Sequence, residues 1–212
     1  MNFESTLRKI RRWKDALRRF LWKNRPEVTD SSLNELAYQA ELADLIDADV
    51  INIHAGGVYG DKGAALQRLA SRIEALPELI RSRLTLENDD RSYSVADLLP
   101  LCQDLAVPLV YDLHHHRCQP DRLSIEQATV ACMATWERVG REAYLHISSP
   151  KYGWEKNPKP HADFIERTDF PDEWLGLDAT VDIEAKAKEL AVLRLKEELL
   201  LPVWPVEGAD HG

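Results

Sequence analysis

Apolar residues along this chain follow one period at first and another later. Phe3, Leu7, Ile10, Trp13, Leu17, Phe20 and Leu21 recur every three to four positions and predict a helix over residues 5–22, closed by Pro26. Leu33, Leu36, Ala37, Ala40, Leu42 and Ile46 repeat the pattern and predict a second helix over about 30–46, with Asp30 or Ser31 at its N-cap. After that come five short strand-like runs: Val50 to His54, Leu84 to Glu87, Leu109 to Asp112, Ala143 to Ile147, and Ala179 to Glu184. Helix-like stretches over 63–82, 94–106, 124–138 and 186–200 alternate with them. Strands alternating with helices predict β/α units and a parallel sheet. The segment 202–212, with Pro202, Pro205 and Gly208, is expected to be irregular.

The runs end alike. Their last or next-to-last residues are His54, Glu87, Asp112, His146 and Glu184, all of which can bind a metal ion. Strands of a parallel β/α barrel point one way, and their C-terminal ends meet at one mouth, where such enzymes keep their catalytic groups. Asp112 is followed by His114, His115 and His116, and His161 lies in a loop beyond the fourth run. Imidazoles with carboxylates suit Mn, Zn or Fe. A carboxylate such as Glu87 or Asp112 can bridge two ions, and paired ions hydrolyse phosphodiesters. Each residue alone has a plainer reading: a hydrogen-bonded structural His, a helix-capping Asp, a polar loop for the three histidines. The convergence of five strand ends favours a metal site.

Charge changes this picture little. The net charge is -9, which by itself argues against DNA, yet residues 1–25 carry nine Lys or Arg against Glu4 and Asp15. Cys102, Cys118 and Cys132 are odd in number and form no CxxC, so reduced thiols in a cytoplasmic protein are expected. No apolar run approaches the roughly 20 residues of a membrane span, and the polar, then basic N-terminus lacks the continuous apolar stretch of a signal peptide.

Six blocks carry a resemblance. They are Asn52-Ile53-His54-Ala55-Gly56-Gly57-Val58-Tyr59-Gly60-Asp61-Lys62, Leu84-Thr85-Leu86-Glu87-Asn88-Asp89-Asp90, Asp112-Leu113-His114-His115-His116, His146-Ile147-Ser148-Ser149-Pro150-Lys151, His161-Ala162-Asp163-Phe164-Ile165, and Asp182-Ile183-Glu184-Ala185-Lys186-Ala187-Lys188-Glu189. In order and spacing they resemble the UV damage endonuclease family from about Arg25 to Leu200. The resemblance implies an α/β fold, a TIM-like β/α barrel related to endonuclease IV. It implies a DNA repair endonuclease that nicks damaged double-stranded DNA 5′ to UV photoproducts and other lesions. It implies up to three divalent metal ions, manganese foremost, with zinc or magnesium as alternatives. By position, His54 and Glu87 hold the first ion, Glu87, Asp112, His146 and Glu184 the second, and His115 and His161 the third. Glu87, Asp112 and Glu184 become the catalytic carboxylates. Ser148, Ser149, Lys151, Lys186 and Lys188 become candidate DNA contacts.

The chain also departs from the family. A complete barrel takes about 250 residues, and this chain has 212. The expectation is an incomplete barrel whose first strands, with a further histidine ligand and the lesion-probing residues, are missing. A basic amphipathic helix over 1–24 would precede the partial barrel domain of 25–200 and an irregular tail of 201–212. An oligomer, a partner or that helix would cover the open edge. Tyr144 stands where the family often has Lys, two residues before His146. The expected location is the cytoplasm, at the nucleoid in a bacterium. Three readings therefore stand beside one another: the endonuclease, a relative that binds metal or DNA without cutting, and a sugar-isomerase-like metal barrel.

Overall fold

The computed structural model describes residues 26–58 and 60–200. The helix expected over 5–22 and the tail of 201–212 lie outside the described residues. Within them the strand expectations hold closely. β1 (Ile51–His54), β2 (Leu84–Glu87), β3 (Leu109–Asp112), β4 (Ala143–Ile147) and β5 (Ala179–Ile183) are all present. They form one sheet in the order β1-β2-β3-β4-β5, every pair parallel. The Glu184 amide donates to the Ile147 carbonyl at 2.9 Å, carrying the last ladder one residue further.

The helices are α1 (Pro26–Leu45), α2 (Lys62–Glu74), α3 (Glu78–Arg81), α4 (Val95–Leu105), α5 (Leu113–Cys118), α6 (Ile125–Glu137) and α7 (Glu189–Glu198). Three differ from expectation. α1 begins at Pro26, which suits the first helical position, so Asp30 and Ser31, expected at its N-cap, lie inside the helix. The helix expected over 63–82 is broken into α2 and α3, because Pro77 cannot continue the first and instead opens the second. The histidine run is not a loop but the one-turn α5, which Asp112 caps by accepting from the His115 amide at 2.8 Å. Ser124 and Gln127 form a reciprocal capping box at the start of α6.

β2 and β3 are buried at every position, as expected for central parallel strands. Alternation sends Leu84, Leu86, Leu109, Tyr111, Leu145 and Ile147 into the core shared with the helices. A smaller cluster of Val110, Trp136 and Ala143 sits where β3 and β4 begin, and Trp136 Nε1 donates to the Leu109 carbonyl at 2.9 Å. The other face carries Asn52, His54, Thr85, Glu87, Asp112 and His146. It is more open at β5, where Thr180 and Asp182 are exposed. Tyr144 turns toward the start of the strands, its ring 5.5 Å from Trp136. Cys102 and Cys132 are buried, and all three cysteines are free. No helix among the described residues is long and apolar enough to cross a membrane.

Leu145 is fully buried in the shared core. Leu145→Ala should destabilise the fold by about 2–5 kcal/mol, read as a lower urea midpoint at unchanged slope. A loss below about 1 kcal/mol would mean that the helical layer does not press on β4.

Candidate metal centre

Parallel register brings the strand ends together. His54 is paired in register with Glu87, and Asp112 with His146, which in turn faces Asp182. Glu87 Oε1 lies 3.0 Å from His54 Nε2, 3.3 Å from His115 Nδ1 and 3.7 Å from His146 Nδ1. His115 Nδ1 is also 3.0 Å from Asp112 Oδ2. His146 Nδ1 is 3.5 Å from Glu184 Oε1, and His161 Nδ1 is 3.5 Å from Glu184 Oε2. All seven residues expected to bind metal are therefore neighbours. Three sets bring their donor atoms within 4.8 Å of one another: His54, Glu87 and His115; Glu87, Asp112 and His146; His146, Asp182 and Glu184.

The grouping differs from expectation in three respects. His115 joins His54 and Glu87, while its ring centroid lies 6.3 Å from that of His161. Asp182 was missed; strand alternation could have found it, two residues before Glu184 and opposite His146. Of the other two histidines of α5, His116 turns away, with Nδ1 2.6 Å from the Tyr111 hydroxyl and Nε2 3.4 Å from Asp121. His114 packs its ring 5.1 Å from that of His161.

Two asparagines brace the site, one through the Glu87 carboxylate and the other through the Asp112 backbone. Asn52 Nδ2 donates to Glu87 Oε2, and Thr85 Oγ1 donates to Asn52 Oδ1 at 3.0 Å. Asn88 donates to the Asp112 carbonyl at 2.8 Å and accepts from the Asp112 amide at 2.9 Å, extending the β2–β3 pairing by one side chain. Asp89 stabilises the turn that follows by accepting from the Arg91, Ser92 and Tyr93 amides.

The electrostatics are those of buried negative charge. Burial opposes ionisation of Glu87, but the charges of His54 and His146 and bonds from His115 and His146 outweigh it, holding the carboxyl well below its usual range. Asp112 is pushed up to about 6 by burial, with His115 pulling it down and Glu87 and Glu184 adding to the rise. His115 rises to about 10 and His146 to about 9, because neighbouring carboxylates overcome the burial that would neutralise them. His114, without such neighbours, falls to about 4 through burial and the nearness of His161 and His115. Asp112 Oδ2 and His146 Nδ1 are buried and face charged groups of the site, His115 Nδ1 at 3.0 Å and Glu184 Oε1 at 3.5 Å. Such atoms fit a cation.

The expected DNA contacts divide. Lys151, Lys186 and Lys188 are exposed. Ser148 and Ser149 are not: each is 1% exposed. Ser149 Oγ donates to Asp169 and accepts from the Glu166 amide, because the chain folds back over the end of β4. Neither serine offers a hydroxyl to a surface groove. Beside His54 opens a cleft of about 770 Å³, bordered by Gly56, Gly57, Arg91 and Lys159.

Two outcomes test this geometry. At pH 7.5, below the values of about 10 and 9 for His115 and His146, both rings carry protons in the metal-free protein. Binding a divalent cation should release protons and strengthen as pH rises, so titration enthalpies should differ between buffers of different ionisation enthalpy; identical values would contradict the protonated rings. Asn52→Ala should weaken cation binding about 10–100-fold by freeing Glu87, and an unchanged affinity would remove Asn52 from the site.

Comparison with known proteins agrees with the geometry. The family model described as UV-endonuclease UvdE matches residues 19–203. The UV DNA damage endonuclease of Bacillus velezensis is 36% identical over 182 residues, covering 82% of this chain and 56% of that protein. One from Bacillus cereus is 34% identical over 185 residues, covering 83% and 57%. The crystal structure of SacUVDE superposes with a TM-score of 0.76 at 28% identity, covering 86% of this chain and 63% of that one. The chain thus spans a little over half the length of the curated relatives it matches, and its five parallel strands form an arc of a TIM-like barrel. By its matched residues and by its fold, the chain belongs to the UV-endonuclease UvdE family.

Proposed function

We propose that the chain acts as a metal-dependent DNA repair endonuclease, hydrolysing a phosphodiester 5′ to UV photoproducts and other lesions in double-stranded DNA. The sharing of Glu87 carries this reading. One oxygen, Oε1, faces three imidazoles within 3.7 Å, the arrangement expected of a carboxylate placed between cations. Family membership and the names of the relatives support DNA damage as the substrate class.

The donor set of imidazole nitrogens and carboxylate oxygens suits manganese, with zinc or magnesium as alternatives. His54 and Glu87 would hold one ion, Glu87, Asp112, His146 and Glu184 a second, and His115 and His161 a third, with Asp182 in reach of His146 and Glu184. Bound there, divalent ions supply a nucleophile from water at neutral pH and offset charge on the departing oxygen. The chain's own residues prepare the site. Asn52 holds the Glu87 carboxylate, and Asn88 holds the backbone of Asp112. His115 and His146 give up their protons on loading. Burial of Glu87, Asp112 and His146 keeps bulk water from screening their charges. Exposed Lys151, Lys186 and Lys188 would position phosphates without reading sequence. Lesions are selected because a damaged duplex bends and opens at lower cost.

The test is incubation of the full chain with Mn²⁺ and an end-labelled duplex carrying one abasic site or photoproduct. A nick 5′ to the lesion is expected. Glu87→Gln should lower it by more than about 100-fold, the upper end of what losing a mere ligand-orienting group costs. Full activity in that variant, or turnover of a sugar with no cutting of DNA, would overturn the proposal.

A further inference from the structure

β4 ends in a loop that the metal centre does not use, although the centre rests on its base. Pro150 and His161 form an antiparallel bridge, the Lys151 amide donates to the Pro160 carbonyl at 2.7 Å, and the Ala162 amide donates to the Ser149 carbonyl at 2.8 Å. This clasp holds His161 in the site and closes residues 151–159 into a compact loop.

The loop's composition is unlike that of the chain around it. In a chain of net charge -9, it carries Lys151, Lys156 and Lys159 against Glu155, interleaved with Tyr152 and Trp154. Tyr152 is 54% exposed and Trp154 36%. Both rings are paired with cations: Lys151 Nζ lies 5.4 Å from the Tyr152 centroid, and Arg117 Cζ 5.6 Å from that of Trp154.

Trp154 is also fixed from below. Its Nε1 donates to Asp169 Oδ1 at 2.9 Å. Asp169, 7% exposed, is itself held by Ser149 Oγ and by Arg117, 3.3 Å away. The Trp154 ring packs 5.3 Å from buried His114, whose ring in turn meets that of His161. On the far side, Lys159 Nζ donates to the Asp90 carbonyl at 2.7 Å, tying the loop to the turn after β2. An exposed tryptophan, its orientation fixed by a buried carboxylate, next to a candidate site for phosphodiesters, is suited to stacking on a base. Stacking needs an unpaired nucleotide, since the faces of paired bases are covered within the helix.

We propose that the loop of residues 151–159 is a rigid platform for a nucleotide displaced from a DNA duplex, with the Trp154 ring stacking on its base. The proposal rests on the endonuclease reading above, and its test separates the two. The full chain in chelator, where no strand is cut, is titrated against two labelled duplexes of one sequence. One is fully paired, and the other holds a single unpaired 2-aminopurine. Trp154→Ala should weaken binding of the second duplex about tenfold, shift the first by less than about twofold, and abolish quenching of the 2-aminopurine. Trp154→Phe, which keeps an aromatic face, should recover most of the loss. Equal losses on both duplexes would assign Trp154 to the backbone, and Trp154→Phe as weak as Trp154→Ala would assign it to anchoring the loop; either overturns the proposal. A chain that nicks in Mn²⁺ but binds both duplexes unchanged after Trp154→Ala overturns this proposal alone. A chain that neither nicks nor binds either duplex overturns the endonuclease reading and this one with it.

Discussion

The site depends on a carboxylate that is buried and nevertheless charged. Glu87 is 4% exposed, at the end of a strand buried at every position. An ion so placed persists only beside positive charge. The imidazoles of His54, His115 and His146 supply that charge, and each comes from a different element. The parallel register of β1, β2 and β4 and the cap that Asp112 places on α5 are thereby linked to one oxygen atom. Asn52 holds the other oxygen, and Thr85 holds Asn52. The sheet's inner face can be seen as two layers: polar side chains that orient, and above them the groups they orient.

The same arrangement separates charge within an acidic chain of the UvdE family. Glu87, Asp112 and Glu184 lie beside imidazoles that offset their charge. The exposed lysines stand at the rim, in the segments following β4 and β5. Net charge averages over these regions and conceals the division.

Much of this was legible in the sequence, for identifiable reasons. Short runs rich in β-branched and other apolar residues, set between helical stretches, mark strands, so all five were placed within one residue. A side chain at a parallel strand's C-terminal end has its position set by topology, so His54, Glu87, Asp112, His146 and Glu184 could be brought together before any coordinates. What lay off the strands was less legible. The approach of His115 to His54 and Glu87, as well as to His161, depends on the direction α5 takes from its cap. The burial of Ser148 and Ser149 depends on the chain returning over β4 through His161. Asn52 and Asn88 lay within the recognised blocks, but an amide's role is decided by its hydrogen bonds, and those appear only in three dimensions. Pro77 was visible; its effect on the helix over 63–82 was a local rule that the longer apolar pattern obscured.

The strand order of the sheet equals its order along the chain. Among the described residues each β/α unit therefore docks against the one made just before it, and no strand there waits for a distant partner. Loop closure at each step spans one crossover only, which keeps its entropic cost low and growth stepwise. The chemistry does not share this locality. Glu87 is laid down with the second strand, His146 with the fourth, and Glu184 only after the fifth. During synthesis the scaffold can thus mature progressively while its buried carboxylate still lacks some of its countercharges, and the centre becomes complete only when the last strand is in place.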